Sequence, residues 1–493
     1  MDRRRFLKYA GATAAVVGAS ALGYDYLLTP AITGLSYTPT RVVNNKIYDI
    51  RVDVGISNPA RRLFPIQVVL EPVVYGQLPG AAFTDEQSKV SMLQTTGLES
   101  ELLSAYFTNL KGGREYDVRA SASDGSAMVD ARTLRTEYVR EFENIAPLDD
   151  VTVIADYYTW YEKPSVEGNH WRDGDQEIYG RSVHVYTPLL GEYASGDPIV
   201  ISKHIDWATG HGINVFCVSW WSTGSDERTW DYHNARNLDV FLKHPMSNQM
   251  KFFILYENNG RLRIQNPNDS PDKWIEDLDE PFNRDRLISD FAYLTRYFSH
   301  PSYLKVDGKP VVIFDYTASF RGNINGVFRS MRQRVRENGG WELYLVNDLA
   351  MRAYHPEKIM NESHPHILQI IESTEAIGYG MPDGYLDYDI EEPYRLWHNA
   401  AIEHAKDYLP YSMPGFEPSP NIPGYQNAGS VRRDPRTFGK LFNLSMKYAT
   451  RGMIGMKAFN EWNAGIEIEP SSDDHGFDYL SVLKTSIESL RHA

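Results

Sequence analysis

Apolar positions along this chain change rhythm near residue 150. From about Ser36 to Thr136 they alternate with polar ones. Tyr48 to Val54, Ile66 to Glu71, Arg114 to Ala120 and Ala127 to Leu134 carry this pattern, with Pro, Gly, Asn and Asp between them. Period two puts successive side chains on opposite faces of a strand. Short strands so spaced predict an antiparallel β-sandwich over residues 36–137. From Val151 the apolar residues come instead in unbroken runs, each followed by a polar, helix-forming stretch. The runs are Val151–Tyr157, Ile213–Trp220, Phe252–Tyr256, Pro310–Phe314, Leu343–Val346, Ile367–Ile371, Tyr408–Met413 and Met453–Phe459. A strand buried on both faces reads as such a run, and parallel sheets are made of them. Eight alternations predict an α/β chain whose second domain, residues 150–493, is a (β/α)8 TIM barrel.

The active site of such a barrel lies at the C-terminal ends of its strands. There the runs end in Tyr157-Tyr158-Thr159-Trp160, Ser219-Trp220-Trp221, Tyr256-Glu257-Asn258-Asn259, Asp315-Tyr316, Asn347-Asp348, Glu372, Met413-Pro414-Gly415-Phe416 and Phe459-Asn460-Glu461-Trp462-Asn463. Carboxylates and aromatic rings thus collect on one rim. Cleaving a glycosidic bond needs that pairing: an acid for the leaving oxygen, a second carboxylate at the sugar, and flat rings for the apolar sugar faces. In the first domain, Phe107-Thr108-Asn109-Leu110, Gly112 and a Tyr-x-Val strand are similar to the end of a fibronectin type III module. The sandwich is accordingly expected to be immunoglobulin- or fibronectin III-like. No catalytic cluster marks it, and a spacer role is favoured over sugar binding.

Composition narrows the partner. The formal net charge of −15 is spread along the chain, which excludes the basic face that a nucleic-acid partner needs. Tyr and Trp are abundant, at 32 and 10, which suits an oligosaccharide or polysaccharide ligand. The single cysteine, Cys217, lies in an apolar run and reads as a core thiol. No metal is expected: His204, Asp206 and His211 are close in sequence, but hydrogen-bonded structural histidines are the commoner case. A nucleotide-sugar transferase finds no support in a Gly-rich phosphate loop.

The first 30 residues stand apart. Arg3-Arg4-Arg5-Phe6-Leu7-Lys8, followed by a weakly apolar stretch to about Leu28, resembles a twin-arginine (Tat) export signal. Ala19-Ser20-Ala21 fits a small-x-small cleavage site. Left uncut, the segment is nearly long enough to anchor the chain in a membrane. The expected location is extracellular or at the cell surface.

An ordered set of motifs then carries a family resemblance. Tyr157-Tyr158-x-Trp160, His170-Trp171, Tyr193-x-Ser195-x-Asp197 and His204-x-x-Trp207 come first. Gly212 to Trp221, Tyr303 to Pro310, and Phe459-Asn460-Glu461-Trp462 with Gly465 and Ile468-Glu469-Pro470 follow. Over most of Val151–Pro470 the chain resembles glycoside hydrolase family 99, the endo-α-1,2-mannosidases, and their relatives among polysaccharide-synthesis proteins. The resemblance implies a (β/α)8 barrel that retains configuration at α-mannosidic bonds and needs no organic cofactor. It implies two glutamates in an Asn-Glu-Trp-x-Glu-Gly motif. One takes the proton of the sugar 2-hydroxyl, which attacks the anomeric carbon to give a 1,2-anhydro sugar. The other protonates the leaving group and then activates water.

This sequence matches the first glutamate at Glu461 and has Ala464 at the second. Alanine carries no proton. Three outcomes stay open: another carboxylate supplies the acid, with Glu467 and Glu257 nearest by motif position; the protein only binds glycans; or its substrate has a leaving group that needs no proton. The rings and polar groups expected to hold sugar are Tyr158, Trp160, His170, Trp171, His204, Trp220, Trp221, Tyr256, Asn460 and Trp462. Of Trp220 and Trp221, one is expected to face the core. The bland alternative for Glu257 is an ion pair with Arg261 or Arg263. Asp315, Asp348 and Glu372 are expected to hold loop backbone, and Glu469 to support the strand-eight loop. The loops Ser373–Pro393 and Gly415–Arg433 are expected to flank a groove.

Overall fold

The computed structural model describes residues 29–75, 87–122, 131–172, 183–224, 228–269, 273–351, 353–378, 390–422 and 430–491. The export-signal segment over 1–28 lies outside them, as do 379–389 and 423–429 of the two groove loops. Among the described residues no helix is long and apolar enough to cross a membrane. The described chain divides into two compact units, one of residues 29–74 and 87–140 and the other of residues 141–491.

The first unit contains two antiparallel sheets. β1 (Ala31–Val43), β2 (Lys46–Ser57) and β5 (Ser100–Phe107) pair in the order β1-β2-β5. β3 (Pro65–Pro72), β4 (Lys89–Gln94), β6 (Tyr116–Ala122) and β7 (Arg132–Arg135) pair in the order β4-β3-β6-β7. Period two sets the inner face: Ile66, Val68 and Leu70 of β3 are buried with Val52, Val54, Val118 and Ala120. Burying each such side chain stabilises the unit by about 2 kcal/mol. The Tyr116 hydroxyl donates back to the Lys111 carbonyl at 2.9 Å, bracing the entry to β6.

In the second unit, eight strand positions form a closed parallel barrel. β8 (Thr152–Tyr157), β9 (Val215–Trp220), β10 (Lys251–Tyr256), β11 (Lys309–Phe314), β12 (Tyr344–Asn347) and β13 (Ala376–Gly378) pair in sequence. The seventh position is split at Pro410. β14 (Asp407–Leu409) pairs with β13, and β15 (Tyr411–Ser412) pairs with β16 (Met453–Met456). β16 closes the ring on β8, with Gly455 opposite Ile154. Proline has no N–H for the ladder, so a change of partner falls naturally there.

Each strand position is followed by a helix: α1 (Pro198–Gly210), α2 (Trp230–Lys243), α3 (Pro281–Phe298), α4 (Ile324–Gly339), α5 (Pro365–Ser373), α6 (Glu392–Glu403), α7 (Pro435–Tyr448) and α8 (Asp478–Leu490). The starts of α1 and α7 follow from local chemistry. Asp197 and Asp434 accept the backbone N–H of Ile199 and Thr437, each with proline at the next position.

One predicted strand is not a strand. The run Ile367–Ile371 lies in α5, and the sixth barrel strand is the three-residue β13. Ile367, Ile370 and Ile371 are buried at helical spacing, and Pro365 opens the first turn. A short apolar run cannot be told from a buried helix by periodicity alone. Glu372 therefore lies on a helix and not on the barrel rim, where it accepts a hydrogen bond from Asn325 Nδ2 at 2.8 Å.

Candidate functional site

Glu461 stands just after β16, and both ends of its carboxylate are informative. Oε1 accepts the Ala464 backbone N–H at 3.2 Å. Oε2 is buried and makes no hydrogen bond to the protein. Burial lifts the carboxyl to about 8, against the pull of the Ala464 and Asn463 N–H groups and of Lys457. The loop that carries it is tightly seated. Gly465 has φ near +60°, and a Cβ there would meet the Glu417 carbonyl oxygen at 2.1 Å.

Glu257 follows β10 and is also buried. Its Oε1 accepts the Ser219 hydroxyl at 2.7 Å. Burial raises its pKa well above the ordinary carboxylate range, and the charge of Asp315 raises it further. Lys457 and the Ser219 hydroxyl oppose that rise. Neither nearby arginine claims it. Arg261 forms a two-pronged pair with Asp290 at 2.7 and 2.9 Å, and Arg263 lies over the Phe282 ring.

Lys457, which sequence reasoning missed, sits among these acids. Its Nζ is 3.9 Å from Asp315 Oδ1. Burial alone would lower its pKa, but Asp315, Asp156 and Glu257 outweigh it and hold the ammonium charged. Tyr158 joins the same group. Its phenol is pushed up by burial and then by the charges of Glu257 and Glu461. A signal for Lys457 was present: it is the first residue after a barrel strand.

Beside the two glutamates is an aromatic platform. Trp160 packs on Tyr158 and His170 with ring centroids 4.6 and 4.1 Å away, and on Trp221 and Trp230 at 5.8 and 5.6 Å. His170, Trp221 and Trp230 are each partly exposed. The Asn463 amide donates to His170 Nε2 at 2.7 Å, which ties the platform to the strand-eight loop. Trp230, at the start of α2, was not foreseen, because a helix terminus gives no rim signal in sequence.

Several residues expected to touch sugar are instead closed off from solvent. Trp171, Trp220, Tyr256, Trp462, His204 and Asn460 are all buried. Trp171 stacks on Tyr161 and donates its indole N–H to the Tyr193 carbonyl. Trp220 stacks between Tyr256 and Arg261, and the Tyr256 hydroxyl donates to Asp290. Asn460 staples β16 to β8 by accepting the Tyr158 N–H at 2.8 Å and donating to its carbonyl at 2.9 Å. His204 lies between the Tyr157 hydroxyl and Glu469 Oε1, each at 3.0 Å. A carboxylate only accepts, so Nε2 carries the hydrogen and Nδ1 takes the Tyr157 proton. Glu469 also accepts from Tyr193 and Trp462, at 2.8 and 2.9 Å. Apart from the Trp220 indole nitrogen, the side-chain polar atoms that these groups bury find partners there, which lets them turn inward.

Glu467 likewise differs from expectation. It pairs with buried Arg433 at 3.1 Å, and Arg433 also reaches Asp474 and the Gly465 and Glu467 carbonyls. Burial lifts the Glu467 carboxyl to about 8, with Arg433 pulling it down. Asp348 holds loop backbone, accepting the Tyr316 and Thr317 N–H groups at 2.8 Å. Among the described residues, no group of three His, Cys, Asp or Glu is placed to hold a metal.

Residues 186–483, from the first strand–helix connection to the last helix, match the family described as Glycosyltransferase WbsX. The chain belongs to the WbsX family. This WbsX member is also similar to proteins that bear a different description. It is 20 % identical over 350 residues to a glycoprotein endo-alpha-1,2-mannosidase-like protein of Mus musculus, covering 66 % of this chain and 71 % of the relative. It is 22 % identical over 363 residues to the Mus musculus glycoprotein endo-alpha-1,2-mannosidase, covering 66 % and 69 %. The family 99 endo-α-mannosidase of Bacteroides thetaiotaomicron, solved with bis-tris propane, superposes with a TM-score of 0.51 at 20 % identity, over 70 % of this chain and 98 % of that one. At that identity the likeness speaks for the barrel fold of the WbsX member and for nothing finer.

Proposed function

We propose that this WbsX-family chain is an exported, retaining glycoside hydrolase acting on α-mannoside-type glycans. The observation that carries this is the pairing at the barrel mouth. Two buried carboxylates, Glu461 and Glu257, stand beside buried Tyr158 and Trp160, on which the partly exposed rings of Trp221 and Trp230 pack. Burial raises both, and their other neighbours then differ. Two backbone N–H groups and Lys457 favour the Glu461 anion, with no neighbouring acid against it. Asp315 and Asp156 favour a protonated Glu257. Unlike neighbours around two carboxyls are how one site assigns an acid and a base.

In this reading Glu461 takes the proton of the sugar 2-hydroxyl as that oxygen attacks C1. The leaving oxygen departs with the proton of Glu257, giving a 1,2-anhydro sugar. Water then opens the ring at C1, giving its proton to Glu257 while Glu461 returns its own to O2. Two inversions leave the configuration retained. Glu257 thus does the work that Ala464 cannot, and the ion pair of Glu467 with buried Arg433 supports choosing Glu257 over it. The similarity to endo-alpha-1,2-mannosidases supports the mannoside.

A second reading, a surface carbohydrate-binding protein, is favoured by Ala464 itself. One experiment separates them: hydrolysis of natural α-mannosides and of an α-mannosyl fluoride by wild type and Glu461→Gln. Turnover of both donors, lost in the variant, supports the hydrolase. Glycan binding without turnover of either supports the binding protein.

The first unit we read as a fibronectin III-like spacer, supported by its β1-β2-β5 and β4-β3-β6-β7 sheets and by the Tyr116 corner. Export follows a Tat-type route, with the leader either cleaved or kept as a membrane anchor. Replacing Arg3 and Arg4 with lysine is expected to leave the protein in the cytoplasmic fraction, and N-terminal sequencing of exported protein reports cleavage.

A further inference from the structure

Ser219 lies near the end of β9, and its hydroxyl stands between two groups of unlike chemistry. The Trp221 indole N–H donates to Ser219 Oγ at 2.7 Å, and Ser219 Oγ donates to Glu257 Oε1 at 2.7 Å. An indole nitrogen only donates, so the direction of the chain is set from that end. Ser219 has one proton, and it goes to Glu257. Oε1 is therefore an acceptor, and a proton carried by Glu257 sits on Oε2. The same bond fixes the tilt of Trp221, a partly exposed ring of the platform.

We propose that Ser219 is a positioning residue that reserves Glu257 Oε2 as the proton-carrying oxygen and locks it to the ring on which the sugar stacks. This rests on Glu257 being the acid. The groups that face Glu257 are Asp156 and Tyr158 from β8 and its end, Cys217 and Ser219 from β9, Asp315 after β11 and Lys457 after β16. Of these, Ser219 alone hydrogen-bonds the carboxylate among the described residues. Its role is therefore one of geometry as well as charge.

The test compares Ser219→Ala, Ser219→Thr and Glu257→Gln on a natural α-mannoside and on α-mannosyl fluoride, whose leaving group needs no acid. Ser219→Ala is expected to cut kcat/KM on the natural substrate about 10- to 100-fold and on the fluoride by no more than about threefold. Its alkaline limb should move to higher pH, because the lost hydrogen bond favours the Glu257 anion. Ser219→Thr, which keeps the hydroxyl, should restore both. Equal losses on the two donors, or an unshifted limb, would mean that Ser219 serves packing alone and would overturn the inference. Full activity of Ser219→Ala would overturn it too. If Glu257→Gln itself cleaves the natural substrate at the wild-type rate, then the assignment of Glu257 as acid fails first, whatever Ser219 does.

Discussion

The strand-eight loop on its Arg433 side and the rim between β9 and β10 each hold a buried glutamate lifted above its ordinary pKa, yet they are built on opposite lines. Around Glu467 the neighbours answer with charge rather than with hydrogen bonds, since among the described residues none donates to either carboxylate oxygen. Arg433 pairs with it, binds two loop carbonyls and Asp474, and lies over the Tyr186 and Tyr479 rings. Around Glu257, among the described residues, no arginine reaches the carboxylate, one serine hydroxyl holds it, and a half-open ring stands alongside. A raised pKa by itself therefore marks burial. What separates the two is what stands beside each: a buried guanidinium at Glu467, and a partly open aromatic rim at Glu257.

The sharpest way to break this comparison is at Glu461, the remaining member of the site. Glu461→Gln is expected to lower kcat/KM on both donors by about 10³-fold or more, with an unchanged circular dichroism spectrum. In wild type, kcat/KM should rise with pH through a limb near 8, since a base must shed its proton and burial holds that of Glu461 to about 8. A limb that falls there would reverse its role.

The two contrasted glutamates should then dissociate. Glu257→Gln is expected to cost about 100-fold in turnover of the natural glycan with little change in Tm. Glu467→Gln should do the converse: about 3 kcal/mol of stability lost from the broken Arg433 pair, and near-wild-type kinetics below the transition. Urea unfolding and steady-state rates measured on both variants decide it. Loss of rate in Glu467→Gln with full stability would erase the distinction.

Smaller effects test the platform and the inner cluster. Trp230→Ala is expected to raise KM for an oligosaccharide about fivefold without altering kcat, as the loss of one stacking face predicts. His204→Ala should leave KM alone and cost about 2 kcal/mol, by stranding Glu469 and the Tyr157 hydroxyl.

A further effect is a slope. Glu461 has a folded pKa of about 8 against an ordinary 4.5. Its contribution to stability is present in full below the unfolded value and is lost as pH rises through about 8. Between pH 5 and 8 the wild type should therefore lose stability relative to Glu461→Gln. Parallel curves for the two proteins would contradict the burial argument.

Read alone, the chain determined what depends on short-range periodicity. Period two in residues 36–137 and doubly buried runs after Val151 specify strands whose faces are dictated within a few residues of themselves. The same logic put Glu257 and Glu461 at strand ends, and Asp197-Pro198 at the start of α1. It failed at Ile367–Ile371, where five residues are too few to separate a strand from a helix and only the packing of Ile367, Ile370 and Ile371 decides.

Everything about partnership was decided by the tertiary structure. Trp220 and Trp221 are adjacent in sequence, yet Arg261 and Tyr256 bury the first while Ser219 and Trp160 hold the second at the rim. His204 meets Glu469 across 265 residues, Asn460 meets Tyr158 across 302, and Ser219 meets Glu257 across 38. Hydrogen bonds and ion pairs act within about 3 Å, but the closing of the barrel chooses which residues come that close. Local pattern carries no record of that choice, which is why the glutamates were legible and their fates were not.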